Sequence, residues 1–534
     1  MSSTPPPEPP GGAGQQPAQR HWQAPCPNCG AAVEFRSAAS ASAVCSYCRS
    51  TVVRDGETLR KIGRSAQLFD DHSPLQLGAA GRYRDRAFTL IGRLQWGYGP
   101  GIEQPGPAPR IEGSWNEWYI LFDDDASAWL SEDNDQYVVS FDVPTDAAPP
   151  ADQLVLGRSR TLAGKQWQVA SRVLARVLAA QGELPRPPQP DRACWIVELR
   201  NVQDQVATLD YTDPQQPQLS VGQAARLAEL ALSGLRGDSG GPEPAKAVAG
   251  RSFDCPSCGA PVSAQLESTR CLTCGQCHSV IDLSQGIGAE LQAWQQAQGP
   301  PPALPLGRTG LLSIADEPAR IWQIVGYAVK RGYPQEQGEH SFSWNEYLLF
   351  NQKEGFAFLV ESEEGWVGFR TITGAPRNTG VGTLEMSWKD IGFDRVEQYP
   401  ARVVYVEGEF YWLVEKDQGS KIADYAGRGA QARYRLSREE TGDEIVWSFG
   451  RLIPANQVAN AFRLSAQEQM QIRKDIAPTS GSLLRSMPLI LAVCVFLLLA
   501  MMLLAAEMDD NSGGPYFGVH GGSWGGISSA GGHK

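Results

Sequence analysis

Two stretches of the 534-residue sequence share one pattern: Ser114-Trp-Asn-Glu-Trp-Tyr-Ile-Leu-Phe122 and Ser343-Trp-Asn-Glu-Tyr-Leu-Leu-Phe350. Around both Ser-Trp-Asn-Glu motifs, short runs of aromatic and β-branched residues at a period of two are broken by Gly, Asp and Asn, which is typical of antiparallel strands. The two stretches therefore predict the same strand in two copies of one β-rich domain.

Other motifs recur at the same or nearly the same offset in the sequence. Leu77-Gly78-x-x-Gly81 returns as Leu306-Gly307-x-x-Gly310, at the offset that also separates Ser114 from Ser343. Ala175-Arg-Val177 with Gly182-Glu183 returns as Ala401-Arg-Val403 with Gly408-Glu409, at a slightly shorter offset. A register kept over this length predicts a duplication, and the period is too long for a solenoid.

The predicted fold is mainly β, with two tandem antiparallel domains of barrel-like or sandwich-like form, each preceded by a zinc ribbon, and one C-terminal transmembrane helix. Segments rich in Pro and Gly separate the units. The predicted boundaries are a disordered Pro/Gly-rich segment (1–24), zinc ribbon 1 (25–56), β-rich repeat domain 1 (60–210), a helix and linker (211–250), zinc ribbon 2 (251–285), β-rich repeat domain 2 (290–425), strands and an amphipathic helix leading to the membrane (426–486), the transmembrane helix (487–506) and a disordered Gly-rich tail (507–534).

Local patterns add some finer expectations. Residues 221–235 and 456–476 have the spacing of amphipathic helices. Residues 403–415 predict a hairpin around Glu407-Gly408. Glu183 and Glu409 each follow a glycine and are expected to be solvated turn residues.

Eight cysteines predict two metal sites. Each set consists of two Cys-x-x-Cys pairs separated by fifteen residues, the spacing of a four-cysteine zinc ribbon. The predicted ligands of two structural Zn²⁺ ions are Cys26, Cys29, Cys45, Cys48, Cys255, Cys258, Cys274 and Cys277. Cys271 is an alternative ligand in the second set, although only Cys274 and Cys277 restore the fifteen-residue gap. Disulfide pairing and a redox role are less consistent with a reducing compartment and a closed four-thiolate site.

Residues 487–506 form an uncharged run of 20 residues, long enough to cross a bilayer as a helix. Basic residues precede this run, whereas only Lys534 follows it. By the positive-inside rule we expect a single-pass inner-membrane protein with its N-terminus in the cytoplasm and a short C-terminal tail outside. The lipid bilayer is then one partner.

The Ser-Trp-Asn-Glu motif is the most distinctive polar feature of the repeated domain. The candidate binding residues, expected on an exposed surface that contacts a partner, are Trp115, Asn116, Glu117, Trp344, Asn345 and Glu346. A structural interpretation, in which Trp packs in the core while Ser and Asn make turn hydrogen bonds, is also open. We assign no catalytic residue, because no second acid, His or Cys repeats at a fixed distance from Glu117 and Glu346.

The ribbon, the Leu-Gly-x-x-Gly motif and the Trp-Asn-Glu strand together resemble a bacterial family, domain of unknown function 4178, over residues 60–210 and 290–425. The resemblance implies ribbon-linked domains, often membrane-anchored, without established catalytic residues. It also implies a setting near polyamine-type aminopropyltransferases, small multi-spanning membrane proteins and phage-shock-like membrane-remodelling proteins, which is an association and not a mechanism.

We expect a membrane-anchored zinc-ribbon binding or scaffold protein with cytoplasmic duplicated β domains, in an envelope-stress or membrane-associated assembly with protein partners at the cytoplasmic membrane face. The alternative is an enzyme or binding protein for a polyamine-like cationic small molecule that uses the Trp-Asn-Glu strands. With 47 Lys and Arg against 59 Asp and Glu, the net charge of −12 suits a cationic ligand. It also argues against nucleic acid as a partner. The oligomeric state stays open.

Overall fold

The computed structural model describes residues 22–472 except for 56–57, 65–72, 100–101, 104–110, 134–135, 146–147, 191, 237–250, 267–268, 284–290 and 335–339. The described chain is mainly β, as the sequence predicts. The predicted disordered N-terminal segment up to residue 21, the second half of the linker before ribbon 2, the transmembrane segment 487–506 and the Gly-rich tail lie outside the described residues.

The strands of the first copy form a small module and a larger sheet. The module, which we call ribbon 1, contains β1 Trp22–Pro25, β2 Ala32–Phe35, β3 Ser42–Val44, β4 Ser50–Asp55 and β5 Thr58–Arg64. The larger sheet contains β6 Ala80–Tyr83, β7 Arg86–Tyr98, β8 Gly113–Phe122, β9 Ser127–Asp133, β10 Gln136–Val143, β11 Ser159–Leu162, β12 Lys165–Leu184, β13 Ala193–Arg200, β14 Gln205–Asp210 and β15 Gln218–Ala225.

The second copy repeats this order. Its module, ribbon 2, contains β16 Arg251–Asp254, β17 Pro261–Ala264, β18 Cys271–Thr273, β19 Val280–Asp282 and β20 Gln292–Trp294. Its larger sheet contains β21 Thr309–Leu312, β22 Arg320–Gly332, β23 Phe342–Asn351, β24 Gly355–Ser362, β25 Gly365–Ile372, β26 Arg377–Asn378, β27 Glu385–Trp388, β28 Ile391–Phe410, β29 Gly419–Gly427, β30 Tyr434–Thr441 and β31 Glu444–Ile453. Helices α1 Ala455–Ala461 and α2 Ala466–Gln471 follow.

Eight antiparallel strands in each copy pair around a closed circuit, which we call a ring. In the first ring the order of neighbours is β7–β8–β9–β10–β15–β14–β13–β12 and back to β7. In the second ring it is β22–β23–β24–β25–β31–β30–β29–β28 and back to β22. The last strand of each ring pairs with the fourth, so each circuit closes only through a contact between residues far apart in sequence.

Each ring consists of two similar half rings, and each half ring begins with a hairpin. Three of these hairpins turn on two residues with positive φ, the geometry of a type I′ turn: Arg84-Asp85, Ala163-Gly164 and Lys389-Asp390. The hairpin between β21 and β22 has a longer connection. The sequence spacing between the two copies therefore changes at this hairpin.

Two large clusters of apolar side chains lie in each ring, one for each half ring, beside smaller clusters. In the first ring these clusters surround Trp118 and Trp167, and in the second they surround Trp322 and Trp447. Because successive side chains of a strand alternate between faces, the other face of the same strands points into the ring. That interior face carries the candidate residues Trp115 and Glu117 opposite β13 and β14.

One of the two segments predicted as amphipathic helices, residues 221–235, begins with a strand in the structure. Residues 218–225 form β15, which closes the first ring against β10 and β14, and only a 3₁₀ turn follows at Leu227–Leu230. The rings also extend to Ala225 and Ile453, beyond the predicted domain ends at 210 and 425. Ring closure overrides the local helical spacing because pairing on two edges and burial of Leu219 outweigh small differences in propensity.

The segment predicted to lead to the membrane packs on the second ring. Val458 of helix α1 and its C-cap residue Phe462 are fully buried in the cluster around Trp322. Ser465 precedes α2 as its N-cap and forms a capping box with Glu468. The two helices contain 7 and 6 residues, so each spans about 10 Å.

The predicted single-pass inner-membrane location requires correction. Within the part of the chain that the structure describes, no helix is long and apolar enough to cross a bilayer. The single-pass assignment is therefore withdrawn.

Candidate metal centres and ring interiors

The structure brings together two groups of four cysteine thiols. Within each group all four Sγ atoms lie within 4.8 Å of one another. The Sγ–Sγ distance is 3.7 Å for both Cys26–Cys48 and Cys29–Cys45, and it is 3.7 Å and 3.8 Å for the corresponding pairs in ribbon 2. Four thiolates placed tetrahedrally at the Zn–S distance of about 2.3 Å would lie about 3.8 Å apart. The geometry therefore fits a four-coordinate metal ion and is too wide for disulfides.

Each pair of thiols is held by a tight turn whose fifth residue has positive φ. These residues are Gly30, Arg49, Gly259 and His278. In each turn the fifth residue donates its backbone N–H to the carbonyl of the first cysteine. His278 thus serves as a turn residue, and its side chain is not part of the thiol group.

Cys271 does not join the second group of thiols. It lies on β18, is fully buried, and donates from Sγ to the carbonyl oxygen of Trp412 at 3.3 Å. Burial also raises the pKa of the Cys271 thiol to about 12, which keeps it protonated. The structure thus places Cys274 and Cys277, and not Cys271, beside Cys255 and Cys258.

One thiol in each group is polarised by a serine. The Sγ of Cys48 lies 3.2 Å from Ser50 Oγ, and that of Cys277 lies 3.1 Å from Ser279 Oγ. Hydrogen bonding to the side chain and backbone of Ser50 lowers the pKa of Cys48 to about 5, and Ser279 similarly lowers the pKa of Cys277 to about 6. A metal binds the thiolate form, so these contacts favour metal binding near neutral pH.

Each ribbon is fastened to its own ring by strand pairing, β3 with β12 and β18 with β28, and by one glutamate of the ring strand. The Glu183 carboxylate accepts backbone N–H groups of Arg36 at 2.8 Å and Ser37 at 3.1 Å. The Glu409 carboxylate accepts those of Gln265 and Leu266 at 2.7 and 3.0 Å, and the Thr269 hydroxyl at 2.5 Å. We call each of these contacts a clamp. Both acids, expected to be solvated, instead join two modules, and Glu183 is only 5% exposed.

Glycines allow the strands to cross closely at each clamp. A Cβ on Gly182 would lie 2.2 Å from the Ile91 carbonyl oxygen, and one on Gly408 would lie 2.3 Å from that of Val325. Both glycines also have positive φ. Gly408 therefore lies inside the continuous strand β28 and not in the hairpin predicted for residues 403–415.

The asparagine of each Ser-Trp-Asn-Glu motif belongs to a polar network on the core face of its ring. Asn116 is 4% exposed; its Oδ1 accepts from Arg93, and its Nδ2 donates to Glu132 at 3.1 Å. Trp118 also donates to Glu132, at 2.8 Å. These groups form strand-to-strand contacts, not the turn hydrogen bonds of the structural interpretation.

The second copy keeps this network but replaces its cation. Asn345 donates to Glu361 at 2.8 Å and accepts from the Tyr327 hydroxyl at 3.0 Å. Tyr327 thus occupies the position that Arg93 has in the first copy. Arg93 pairs with Trp118 and Tyr327 pairs with Tyr347, and each of these partners directly follows the glutamate of its motif.

The glutamate of each motif points into its ring. Glu117 accepts from Trp115 Nε1 at 3.1 Å and from the Ser131 hydroxyl at 2.8 Å. Burial, with smaller contributions from the negative charges of Asp210 and Glu198, raises the pKa of Glu117 to about 7. In the second ring Glu346 accepts from Trp344 Nε1 at 2.7 Å and forms an ion pair with Lys330 at 3.2 Å.

The family model named Domain of unknown function (DUF4178) matches residues 76–226 and 319–455, which together form more than half of the chain. The chain belongs to the DUF4178 family. The region 76–226 covers every strand of the first ring up to β15, and the region 319–455 covers every strand of the second ring up to β31. Both regions leave out the ribbons. Comparisons with curated proteins and with solved structures give no match.

The candidate residues of the two DUF4178 regions do not form an outer contact surface. Asn116 and Trp344 are buried, and Trp115, Glu117, Asn345 and Glu346 are only partly exposed within the rings. Sequence reasoning missed Lys330 and Glu439, whose side chains form an ion pair at 3.0 Å inside the second ring. It also missed the clamps, although the sequence shows Gly182-Glu183 and Gly408-Glu409 as a repeated pair.

Proposed function

We propose that this DUF4178 protein is a binding scaffold in which each of two structural Zn²⁺ ions folds one ribbon and each ribbon is clamped to one ring. The observation that carries this proposal is the pair of four-thiol groups with separations that suit a tetrahedral ion. Four thiolate ligands leave no coordination position open for a substrate, which favours a structural ion over a catalytic one.

The contacts between the two copies support a scaffold role. Ser171 of β12 pairs with Glu444 of β31, and Trp447 Nε1 donates to Gln168 at 3.2 Å. Arg270 of ribbon 2 donates to the backbone carbonyl and hydroxyl of Ser114 in the first ring. These contacts would hold two rings in a fixed arrangement, which suits the presentation of two binding units to one partner.

The first experiment counts zinc in the purified full chain by elemental analysis and native mass spectrometry. We expect two ions per chain, one after the double substitution Cys26→Ser and Cys29→Ser, and two after Cys271→Ser, the matched control. A wild-type chain that is folded without zinc would disprove the zinc assignment.

The scaffold part is tested by purifying the native-level chain and its variants under mild conditions. We expect a protein partner at fixed stoichiometry, which is lost from the ribbon variant and kept by Cys271→Ser. A folded, zinc-loaded chain that is recovered without any partner would contradict the scaffold proposal.

A second candidate, the binding of a cationic small molecule, is favoured by the interior of the first ring. Glu117 lies there close enough to Asp210 and Glu198 for their charges to raise its pKa. Such a group of carboxylates attracts a cation. Loss of amine binding on Glu117→Gln tests this candidate.

A further inference from the structure

The strand registers identify equivalent interior positions in the two rings. Trp96 pairs with Trp115 and Val177, just as Lys330 pairs with Trp344 and Val403. Asp210 lies opposite Ile196, just as Glu439 lies opposite Ile422. The resulting equivalent pairs are Trp96 and Lys330, Glu117 and Glu346, Glu198 and Asp424, and Asp210 and Glu439.

The second ring contains a complete site for an ammonium group, and its own lysine fills that site. Lys330 Nζ lies 3.2 Å from Glu346 Oε2 and 3.0 and 3.1 Å from the two oxygens of Glu439. The Lys330 side chain is only 11% exposed. An ammonium group has three N–H donors, and the two carboxylates provide matching acceptors.

The first ring keeps both carboxylates but has no lysine between them. Trp96 replaces Lys330 and stacks on Trp115 with a centroid distance of 5.8 Å and an angle of 7°. Asp210 accepts from the backbone and hydroxyl of Thr212, both neutral donors.

Arg200, a cation of the first ring, is directed elsewhere. Arg200 donates to Glu198 at 2.6 Å. Across the described part of the chain, no Lys or Arg forms an ion pair with Glu117 or Asp210. Both carboxyl side chains are partly exposed, so solvent reaches them.

We propose that the first ring binds the primary ammonium group of a small alkylamine between Glu117 and Asp210, at the position that Lys330 Nζ occupies in the second ring. The stacked pair Trp96 and Trp115 would contact the alkyl chain and attract the cation through the indole faces. Divalent metal ions fit less well, because Ca²⁺ needs six to eight oxygen ligands and two carboxylates with indole neighbours do not supply them.

This inference deepens the second candidate function and rests on it, but it does not depend on the zinc scaffold. It also makes the copies unequal. The first ring is a receptor for an external amine, whereas the second ring is occupied by its own side chain. The wild-type chain therefore binds one amine, although it has two rings.

The test is isothermal titration calorimetry of the full, zinc-loaded chain with butylamine and 1,4-diaminobutane. We expect one site per chain. Glu117→Gln should weaken binding about 10- to 100-fold, because it removes a charge-assisted contact. Asp124→Asn, which removes an exposed carboxylate from the same ring, is the matched control and should not change the affinity.

Two further variants test the equivalence of the rings. Trp96→Lys supplies an internal ammonium and should abolish binding, whereas Lys330→Met should create a second site. If Lys330→Met fails to fold, Trp96→Lys still decides the proposal, provided that its zinc content and thermal transition stay intact.

Three outcomes would overturn the proposal: no amine binding by the wild-type chain, equal weakening by Glu117→Gln and Asp124→Asn, or displacement of the amine by Mg²⁺ or Ca²⁺ at the same site. None of these outcomes changes the zinc count. Loss of zinc with intact amine binding would instead count against the scaffold proposal alone.

Discussion

The two rings have the same strand order, the same glycine crossing and the same clamp, yet their interiors carry different chemistry. Where the second ring has Lys330 between two carboxylates, the first has Trp96 stacked on Trp115. On the core face, Arg93 in the first ring is replaced by Tyr327 in the second. The backbone frame and the ribbon contact have thus stayed alike after duplication, while side chains that face the interior have changed.

This difference teaches that the two copies need not perform the same task. A buried carboxylate is costly unless a cation or hydrogen bonds compensate it. The second ring compensates Glu346 and Glu439 internally, so its interior is complete. The first ring leaves Glu117 with neutral donors only, so an external cation can still stabilise it.

The largest expected effect is the unfolding of one ribbon while the other ribbon stays folded. Cys26→Ser with Cys29→Ser should unfold ribbon 1 alone, and Cys255→Ser with Cys258→Ser should unfold ribbon 2 alone, because zinc binding contributes about 10 to 16 kcal/mol to such a module. Hydrogen–deuterium exchange should show fast exchange limited to the affected ribbon. If either double variant showed equally fast exchange in both of its ribbons, the two zinc sites would not be independent.

The next largest effect is a loss of stability in the second ring when the cation in its interior is removed. Lys330→Met should destabilise the second ring by about 4 kcal/mol, because it leaves Glu346, whose side chain is only 17% exposed, and the more exposed Glu439 without their shared cation. The double variant with Glu346→Gln should recover part of this loss. Arg331→Met, which replaces an exposed cationic side chain on the same strand with methionine, is the control for chemical denaturation, and an equal loss of stability there would refute the argument.

A third comparison concerns the clamps. Glu183→Ala removes two charge-assisted hydrogen bonds and should weaken the attachment of ribbon 1 by about 3 kcal/mol. The amides of Arg36 and Ser37 should then exchange faster, while those of Gln265 and Leu266 stay protected. Glu409→Ala should give the reverse result, and Glu34→Ala, an exposed acid on β2, should change neither.

The smallest effect is a pH dependence that belongs to the first ring. The pKa of Glu117 is about 7 in the folded chain against 4.5 for the free side chain, so folding favours its protonated form. Its contribution to stability is complete below pH 4.5 and is lost as the pH rises through 7, by about 2 kcal/mol after allowance for partial exposure.

The interior charges that face Glu117 are Asp210 and Glu198, and Arg200 is paired with Glu198. Glu117→Gln should therefore reduce the pH dependence between pH 5 and 8 in urea unfolding curves. Part of it should remain, because burial also raises the pKa of Asp133 in the same ring to about 7. A wild-type stability that rises over the same range, relative to the variant, would show that Glu117 is ionised in the folded chain at lower pH.

Several features of this protein follow from the sequence alone. The two four-cysteine groups are set by short spacings, because a Cys-x-x-Cys turn brings two thiols together within a few residues. The duplication and the strand around Trp115 are likewise visible as repeated local patterns, and the closed rings keep the predicted β character.

Other features were decided only by tertiary structure. The helical spacing of residues 221–235 gave no sign that 218–225 would pair with β10 and β14, because ring closure joins residues far apart in sequence. Glu183 looked like a solvated turn residue because its partners, Arg36 and Ser37, lie about 147 residues earlier.

The equivalence of Trp96 and Lys330 was hidden as well. These two residues are further apart in the sequence than the motif residues Trp115 and Trp344, since the hairpin before β22 is longer. A search at the offset of the motifs therefore does not align them. Sequence patterns record short-range chemistry, whereas the partner of a buried charge is chosen by strands that meet only when the ring closes.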